Sequence, residues 1–282
     1  MVKVVDAASL ERRLDPSLAI IDARPTIKYL QGHVPGAVNL PVWKMFDKKT
    51  LELRQVDELA KTFGAAGVNE ESPVVIYDDF DGQNAAMLAW TLEFLGHGDV
   101  SVLGSFMEKW VKEGRPVLYR PVEPEPRTFK ANTDRQVRAT AEEILLENDL
   151  KLVDFRSAEE YDGKATTETR AGHITGAASL PWTLLGEDGE LLRSRAELER
   201  VVLDAGLQSS DRIVAYCSYG PRSALGYLAL KEVGFQRVSV FDGSFHLWAQ
   251  NPRLSVETGA SSTGSVVLKG PCIDVEGQLP TS

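Results

Sequence analysis

The stretch IVAYCSYGPRSALGYLALKEVGF, residues 213–235, decides the fold. Its first residues are β-branched and apolar, as in a buried strand, and the residues from Pro221 onward have the composition of a helix. Cys217 lies where the strand ends and a short loop begins. Because parallel α/β sheets bind ligands outside the carboxyl ends of their strands, this junction is a candidate site for chemistry.

The same pattern occurs twice in the chain. VVIYDDFDGQNAAMLAWTLEFLGHGDVSVLGSF (74–106) aligns with residues 213–245 through a one-residue gap and its compensation. IDARPTIKYLQGHVPGAVNLPVW (21–43) returns in residues 153–182, where the second copy has eight extra residues before its histidine. In each copy, short Val- and Ile-rich runs alternate with helical patterns, so the repeat predicts two α/β domains, each a parallel sheet with helices on both faces.

The composition around the repeats suggests where the domains begin and end. We expect an N-terminal domain over residues 1–120, a linker rich in proline and acidic residues over 121–135, a second domain over 136–255 and a tail over 256–282. Within the second domain, Thr140 with Glu143 and Ser194 with Glu197 have the spacing of capping boxes, which mark helix starts.

Overall composition excludes several kinds of partner. The 282-residue chain has a net charge of −10, which argues against nucleic acid or an anionic membrane as a partner. No run approaches the 18 apolar residues of a membrane span, and the opening residues lack the apolar core of a signal peptide. Two cysteines do not form a disulfide framework. We therefore expect a protein of the reducing cytoplasm; the sequence does not predict its oligomeric state.

The loop after the second strand favours a reactive cysteine. Pro221 suits the first helical position, so loop amides and the helix dipole point toward the sulfur, and Gly220 permits the positive φ that such a loop requires. Arg222 adds a fixed positive charge. These features favour the thiolate, the reactive form, and predict a sulfur open to attack. The alternative is an inert buried cysteine. In the first copy the matching residue is Asp78, which cannot accept sulfur, so that domain is predicted to be catalytically silent.

These motifs resemble those of the tandem-domain rhodaneses, which are thiosulfate and 3-mercaptopyruvate sulfurtransferases. YLQGHVPGAVNL (29–40) matches the first family signature, and FDGSFHLW (241–248) resembles the second, with Leu247 where a glutamate is usual. The resemblance covers roughly residues 5–255. It implies that Cys217 takes the outer sulfur of a donor as a persulfide and passes it to cyanide or a thiol acceptor. It implies no metal and no organic cofactor, and the four histidines show no metal-ligand spacing.

The resemblance also assigns roles to residues around Cys217. It implies that the amides of residues 218–222 hold the persulfide sulfur and that Arg222 binds the donor's oxyanion. Arg170 lies in the insertion and has no equivalent in the first copy, so we predict a second contact with an anionic donor there. The predicted donor-binding residues are therefore Ser218, Tyr219, Gly220, Arg222, Ser223 and Arg170.

The loop sequence leaves alternatives open for the reaction. CSYGPRS matches neither the CG-[ST]-GVT loop of mercaptopyruvate enzymes nor the CRKGVT loop of vertebrate thiosulfate enzymes. Its spacing is closer to that of some bacterial rhodaneses, which favours thiosulfate as the donor. Mercaptopyruvate sulfurtransferase and a persulfide carrier serving a protein partner remain alternatives. A related phosphatase would need a loop one residue longer.

Other polar residues shared by the two copies have a structural explanation. His33 and His173 occur in both the reactive and the silent copy, so we expect them to make structural hydrogen bonds. The pair Asp154 and Arg156 is expected to support the fold. Cys272 in the tail is expected to be a bystander, with resolution of the persulfide as the alternative.

Overall fold

The computed structural model describes residues 2–15, 17–79, 81–187 and 189–259, which form two α/β halves. The first half contains β1 (Lys3–Val5), α1 (Ala7–Arg12), β2 (Ala19–Asp22), α2 (Thr26–Leu30), β3 (Ala37–Asn39), α3 (Val56–Ala65), β4 (Val74–Tyr77), α4 (Gln83–Phe94), β5 (Val100–Leu103) and α5 (Met107–Lys112). A 3₁₀ turn at Val42–Met45 follows β3.

The second half repeats this order. It contains α6 (Ala141–Leu146), β6 (Leu150–Asp154), α7 (Ala158–Tyr161), β7 (His173–Ile174), β8 (Ala178–Ser179), α8 (Arg195–Asp204), β9 (Arg212–Tyr216), α9 (Pro221–Glu232), β10 (Val238–Val240), α10 (Ser244–Gln250) and β11 (Val256–Glu257). Short 3₁₀ turns lie at Arg135–Val137 and Trp182–Leu184.

Each half is built on a parallel sheet, as the repeat predicts. The first sheet has the order β1-β5-β4-β2-β3 and the second has the order β10-β9-β6-β8, with every neighbouring pair parallel. The central strand β4 is buried along its whole length and β9 is buried from Ile213 onward, because helices cover both faces of each sheet. A feature that the sequence did not predict is the antiparallel pairing of β11 with β7.

Two helices join the halves. In α4 and α9 buried residues cover nearly every face, since these helices pack both on their own sheets and against each other. One continuous apolar core therefore includes Met87 and Trp90 of the first half together with Phe155 and Tyr227 of the second. Because α9 begins directly after the cysteine loop, this packing places Cys217 beside the first half.

Local signals in the sequence form as expected. Both predicted capping boxes are present, with the Ser or Thr hydroxyl accepting from the backbone of the third helical residue. A third box, in which Ser157 and Glu160 cap α7, was not predicted although its spacing is the same. The proline-rich segment from residue 120 is extended, and it is held against the first half where Arg127 N–H donates to the Gly64 carbonyl at 2.8 Å.

The alignment of the two copies needs one correction. Met107 N–H donates to the Asp78 carbonyl, and Phe245 N–H donates in the same way to the Cys217 carbonyl. Met107 and Phe245 are therefore equivalent, and the one-residue difference in the loops is never compensated. The identical residues GSF at 104–106 and 243–245 therefore lie one position apart in the two backbones.

Candidate active site

Cys217 lies one residue after β9 and four residues before α9. Its amide N–H donates to Ser244 Oγ at 3.2 Å, and its carbonyl accepts from Phe245 N–H at 2.9 Å, so the start of α10 holds the cysteine backbone from both sides. Pro221 is the first helical residue and Gly220 has a φ of 121°, both as predicted. The loop therefore turns sharply enough to curl around the sulfur.

One backbone N–H bonds to the sulfur, and one hydroxyl lies near it. Gly220 N–H donates to Cys217 Sγ at 3.1 Å, and the Ser223 hydroxyl lies 3.6 Å from it. The Ser223 hydroxyl has one proton, which in this structure is directed to the Gly220 carbonyl at 2.7 Å. A ring of amides from residues 218–222 was predicted around the sulfur. In the described part of the chain, the Gly220 amide is the one of these that donates to Cys217 Sγ.

The sulfur is enclosed. Cys217 is 1% exposed, so the prediction of a sulfur open to solvent is wrong for this structure. The reason is the first half of the chain: Met87 packs against Gly220, and Phe46 meets the ring of Tyr219 edge-on, with centroids 6.2 Å apart. Tyr219 is 45% exposed and lies at the surface of this contact. Sequence patterns within the second copy cannot predict contacts between the cysteine loop and residues of the first copy.

Arg222 is next to the sulfur but is already paired. Its guanidinium donates to both carboxylate oxygens of Glu160, at 2.6 and 3.0 Å, and to Ser218 Oγ at 2.6 Å. One face lies over the Trp182 ring, with Cζ 4.9 Å from the centroid. The contacts explain why the pKa of Arg222 is raised: burial opposes its charge, but Glu160 and the nearby Cys217 favour it.

Glu160 is the main site residue that the sequence motifs do not predict. Burial raises the pKa of its carboxyl, but hydrogen bonds from Arg222 and from the Ser157 amide outweigh burial and lower the pKa to about 2. Glu160 is therefore a carboxylate at every physiological pH. Its capping-box spacing from Ser157 was a usable signal for its position, whereas its pairing with Arg222, 62 residues away, had no local signal.

The Arg170 guanidinium is occupied by backbone carbonyls and does not contact the cysteine loop in any hydrogen bond of the described residues. It makes four hydrogen bonds, all to backbone carbonyls at the end of α10 and in the following turn: those of Trp248, Ala249, Asn251 and Leu254. Burial lowers its pKa, and no carboxylate contributes to that shift. Helix ends leave carbonyls without intrahelical partners, and Arg170 satisfies them. We therefore replace the predicted donor contact with a structural role.

The insertion that contains Arg170 also covers the end of the second half. Thr169 Oγ1 donates to the Ala249 carbonyl at 2.8 Å, and Glu168 Oε2 lies 2.8 Å from His246 Nδ1. At the corresponding place in the first half, beside α5, there is a cavity of about 360 Å³ instead. A larger cavity of about 520 Å³ lies between the halves near Ser105. Neither cavity is lined by the cysteine loop.

The remaining predicted groups have the structural roles expected of them. The ring of His173 stacks on Tyr161 at 3.6 Å, and its Nδ1 bonds to the Tyr161 carbonyl at 2.8 Å. His33 makes the equivalent contacts in the first half. Arg156 and Asp154 form a buried bidentate pair below the loop. The fold thus uses the same supports in both halves.

The loop of the first half that is equivalent to the cysteine loop is organised around a carboxyl group. Asp78 accepts from the amide of Asn84 at 2.9 Å and from its side chain at 3.2 Å. Burial nevertheless raises the pKa of Asp78 to about 7. Asn84 occupies the position that Arg222 has in the second half, so this loop contains neither a sulfur nucleophile nor a cation for an anionic donor.

Among the described residues, no group of three histidine, cysteine or acidic side chains is arranged to hold a metal ion. Within the same part of the chain, no helix has the length and apolar character needed to cross a membrane. Cys272 lies outside the described residues.

Comparison with known proteins identifies relatives over nearly the whole chain. The rhodanese-like domain family matches residues 6–113 and 138–251. A thiosulfate sulfurtransferase of Azotobacter vinelandii is 29% identical over 267 residues, which cover 90% of this chain and 96% of the relative. The sulfur carrier protein TtuD of Thermus thermophilus is 31% identical, with 83% of this chain and 88% of that protein covered.

Solved structures share the fold. SseA from Escherichia coli, described as a 3-mercaptopyruvate sulfotransferase, has a TM-score of 0.78 and 27% identity, covering 86% of this chain and 99% of SseA. An anaerobic ergothioneine biosynthesis enzyme from Chlorobium limicola has a TM-score of 0.78 and 25% identity over 86% of this chain. This chain spans only 65% of that enzyme's length.

Proposed function

Because this chain belongs to the rhodanese-like family, we propose that it is a sulfurtransferase, moving the sulfane sulfur of thiosulfate to cyanide or a thiol acceptor through a persulfide on Cys217. The observation that supports this most is the geometry of one cysteine. It lies at a strand-to-helix loop, accepts a backbone N–H at 3.1 Å and has a half-buried arginine beside it. The relatives named thiosulfate sulfurtransferase agree with the donor predicted from the loop spacing.

The first half-reaction is a displacement at sulfur. The Cys217 thiolate attacks the outer sulfur of thiosulfate, the Sγ–S bond forms, and the S–S bond of the donor breaks. Sulfite leaves with the bonding electron pair, and the enzyme retains a persulfide anion. In the second half-reaction cyanide attacks the terminal sulfur, thiocyanate leaves, and the Cys217 thiolate is regenerated. This is covalent catalysis with two separate substrates.

The loop supplies the groups that hold the charge. Gly220 N–H and the Ser223 hydroxyl face the sulfur, where negative charge is present before and after each step. Of the five N–H groups of Arg222, three are engaged with Glu160 and Ser218, which leaves two for the sulfonate oxygens of a donor. Arg222 therefore binds the donor while the Gly220 N–H holds the sulfur. The Ser223 hydroxyl joins it only when its proton turns away from the Gly220 carbonyl.

Donor entry requires side chains to move, since Cys217 is 1% exposed. Tyr219 is the exposed residue of the loop, and its contact with Phe46 lies between the two halves. Rotation of an exposed tyrosine takes place on a timescale far shorter than turnover. We propose that the donor enters at this contact.

Two alternatives have specific support. Similarity to SseA favours 3-mercaptopyruvate as the donor, and the name of the Thermus relative favours delivery of the persulfide to a protein partner. Assays of both donors side by side separate the first alternative. Steady turnover of thiosulfate with cyanide, in the absence of any other protein, counts against a pure carrier. A cytoplasmic location stays a prediction from the sequence.

Intact-mass measurement after addition of thiosulfate tests the proposal directly. The native chain is expected to gain one sulfur atom and to lose it on addition of cyanide. Cys217→Ser is expected to gain none, and it retains Cys272 as an internal control. Sulfur gained by the Cys217→Ser variant, or no gain by the native chain, would refute the assignment of Cys217.

A further inference from the structure

Glu160 is placed to control the charge of the donor site. It is the third residue of the one-turn helix α7, and both of its oxygens face the guanidinium of Arg222. Oε1 also accepts from Ser218 Oγ at 3.3 Å, and Oε2 accepts from the Ser157 amide at 3.0 Å. The side chain of Glu160 is 22% exposed, so water screens this interaction only partly.

The carboxylate offsets the positive charge available to the donor. The acidic groups acting on Arg222 within the second half are Glu160 and Asp154, and Asp154 is itself paired with a buried arginine. From the first half, Asp81 lies close enough for Arg222 to lower its pKa, although burial raises that pKa overall. Arg222 offsets Glu160 and Arg156 offsets Asp154, so the donor site is at best neutral.

The first half shows that the fold itself does not need a carboxylate here. The residue equivalent to Glu160 in α2 is Lys28, and the strand, helix and buried Asp–Arg pair around it are otherwise the same. The carboxylate is therefore specific to the half that contains the reactive cysteine.

We propose that Glu160 is a positioning and specificity-determining residue of this site. It holds Arg222 against Trp182 with two N–H groups of the guanidinium left for a donor, and its charge weakens the binding of a dianion more than that of a monoanion. This inference rests on the proposed function, because it concerns the donor of the same reaction. It implies that Glu160 weakens the binding of thiosulfate and has a smaller effect on the binding of less charged donors.

The test compares Glu160→Gln with two controls. Glutamine preserves the shape and the capping box but removes the charge. Glu159→Gln makes the same charge change on the exposed neighbour, and Ser157→Ala weakens the cap without changing charge. Each variant is assayed at low ionic strength with thiosulfate, a dianion, and with 3-mercaptopyruvate, a monoanion.

The expected result is a change in donor preference. The Coulomb energy between Glu160 and a donor is twice as large for a dianion as for a monoanion. Because KM depends exponentially on that energy, a change of about threefold in KM for mercaptopyruvate corresponds to about tenfold for thiosulfate. For Glu160→Gln, KM for thiosulfate should fall by about tenfold and the preference for thiosulfate should rise by about threefold. Both changes should shrink in about 0.5 M salt, as they would not if the effect came from packing.

A second readout needs no donor. The rate of alkylation of Cys217 by iodoacetamide, followed against pH, should have its midpoint at lower pH in Glu160→Gln, because a nearby negative charge has been removed. The midpoint should not move in Glu159→Gln or Ser157→Ala. If Glu160→Gln does not fold, Glu160→Ala replaces it, with the same shift expected and a lower kcat because Arg222 is no longer held.

The outcomes separate the two proposals. An unchanged or higher KM for thiosulfate in Glu160→Gln, or an equal change in either control, would overturn the role of Glu160. An alkylation midpoint that stays in place or rises would overturn that role as well. Failure of the native chain to take up sulfur from either donor would instead refute the proposed function, and the alkylation profile would still decide the role of Glu160.

Discussion

Replacement of Arg222 by alanine is the sharpest test of the donor site. The change removes the cation that lies beside Cys217 and leaves the Glu160 carboxylate without its bidentate partner. The site then has a negative charge where a dianionic donor must bind. We expect kcat/KM for thiosulfate to fall by a factor of about 10² to 10³, with a reduced kcat and a raised KM.

The magnitude follows from the geometry. Two unit charges about 4 Å apart attract by about 4 kcal/mol at the effective dielectric of a partly buried site. Solvent at this partly exposed site and pairing with Glu160 both reduce that attraction, Glu160 by about 0.7 kcal/mol for each donor charge. We take about half of the attraction as remaining, which is about 2 kcal/mol for each donor charge. A dianion therefore loses about 3–4 kcal/mol, and each 1.36 kcal/mol corresponds to a factor of about ten in rate.

Arg170→Ala is the matched control, because it also removes one arginine from the second half. Four carbonyls at the end of α10 lose their donor, so the free energy of unfolding should fall by about 1–3 kcal/mol. At temperatures well below the melting point, kcat/KM should stay within about threefold of the native value. Thiocyanate formation measures activity, and urea unfolding measures stability.

The two variants are therefore expected to lose different properties, which are activity in Arg222→Ala and stability in Arg170→Ala. Less than about a fivefold loss of kcat/KM in Arg222→Ala would show that the donor anion binds elsewhere. A loss in Arg170→Ala as large as that in Arg222→Ala, in protein that is still folded, would restore Arg170 as a donor contact and refute the structural role assigned to it.

Two further predictions concern the supports of the site. Gly226→Ala should lower the free energy of unfolding by about 2 kcal/mol, because a Cβ there would lie 2.4 Å from the buried Phe155 ring. In the control Gly98→Ala the new Cβ would have no atom within 4 Å, so the free energy of unfolding should change by less than about 0.5 kcal/mol. Equal effects of the two substitutions in urea unfolding would contradict this. Asp78→Asn should become more stable than the native chain as pH rises from about 4 to 7. The folded-state pKa of about 7 lies above the unfolded value of 3.8, so the native chain loses up to about 4 kcal/mol over that interval and nothing further above it. A stability difference that does not depend on pH between about 5 and 8.5 would show that Asp78 is ionised in the fold.

Much of the site could be predicted from the sequence because it depends on neighbours along the chain. The end of the strand, Pro221 at the first helical position, the positive φ of Gly220 and two capping boxes all involve residues within a few positions of one another. The repeat predicted the parallel sheets and the silent loop at Asp78. These features follow from backbone preferences and apolar periodicity, which are local properties.

The tertiary structure alone decided what surrounds the sulfur. Phe46 and Met87 come from the other half of the chain, and Glu160 reaches Arg222 across 62 residues. Arg170 had the right charge and position in the sequence for a donor contact, but the carbonyls at the end of α10 use its guanidinium instead. The partner of a charged side chain depends on which unsatisfied groups the packing brings near it, and no local pattern records that choice. The sequence by itself therefore predicted the candidate nucleophile, Cys217, and determined the loop that holds it. Only the packing of the two halves determined the burial of Cys217 and the net charge beside it.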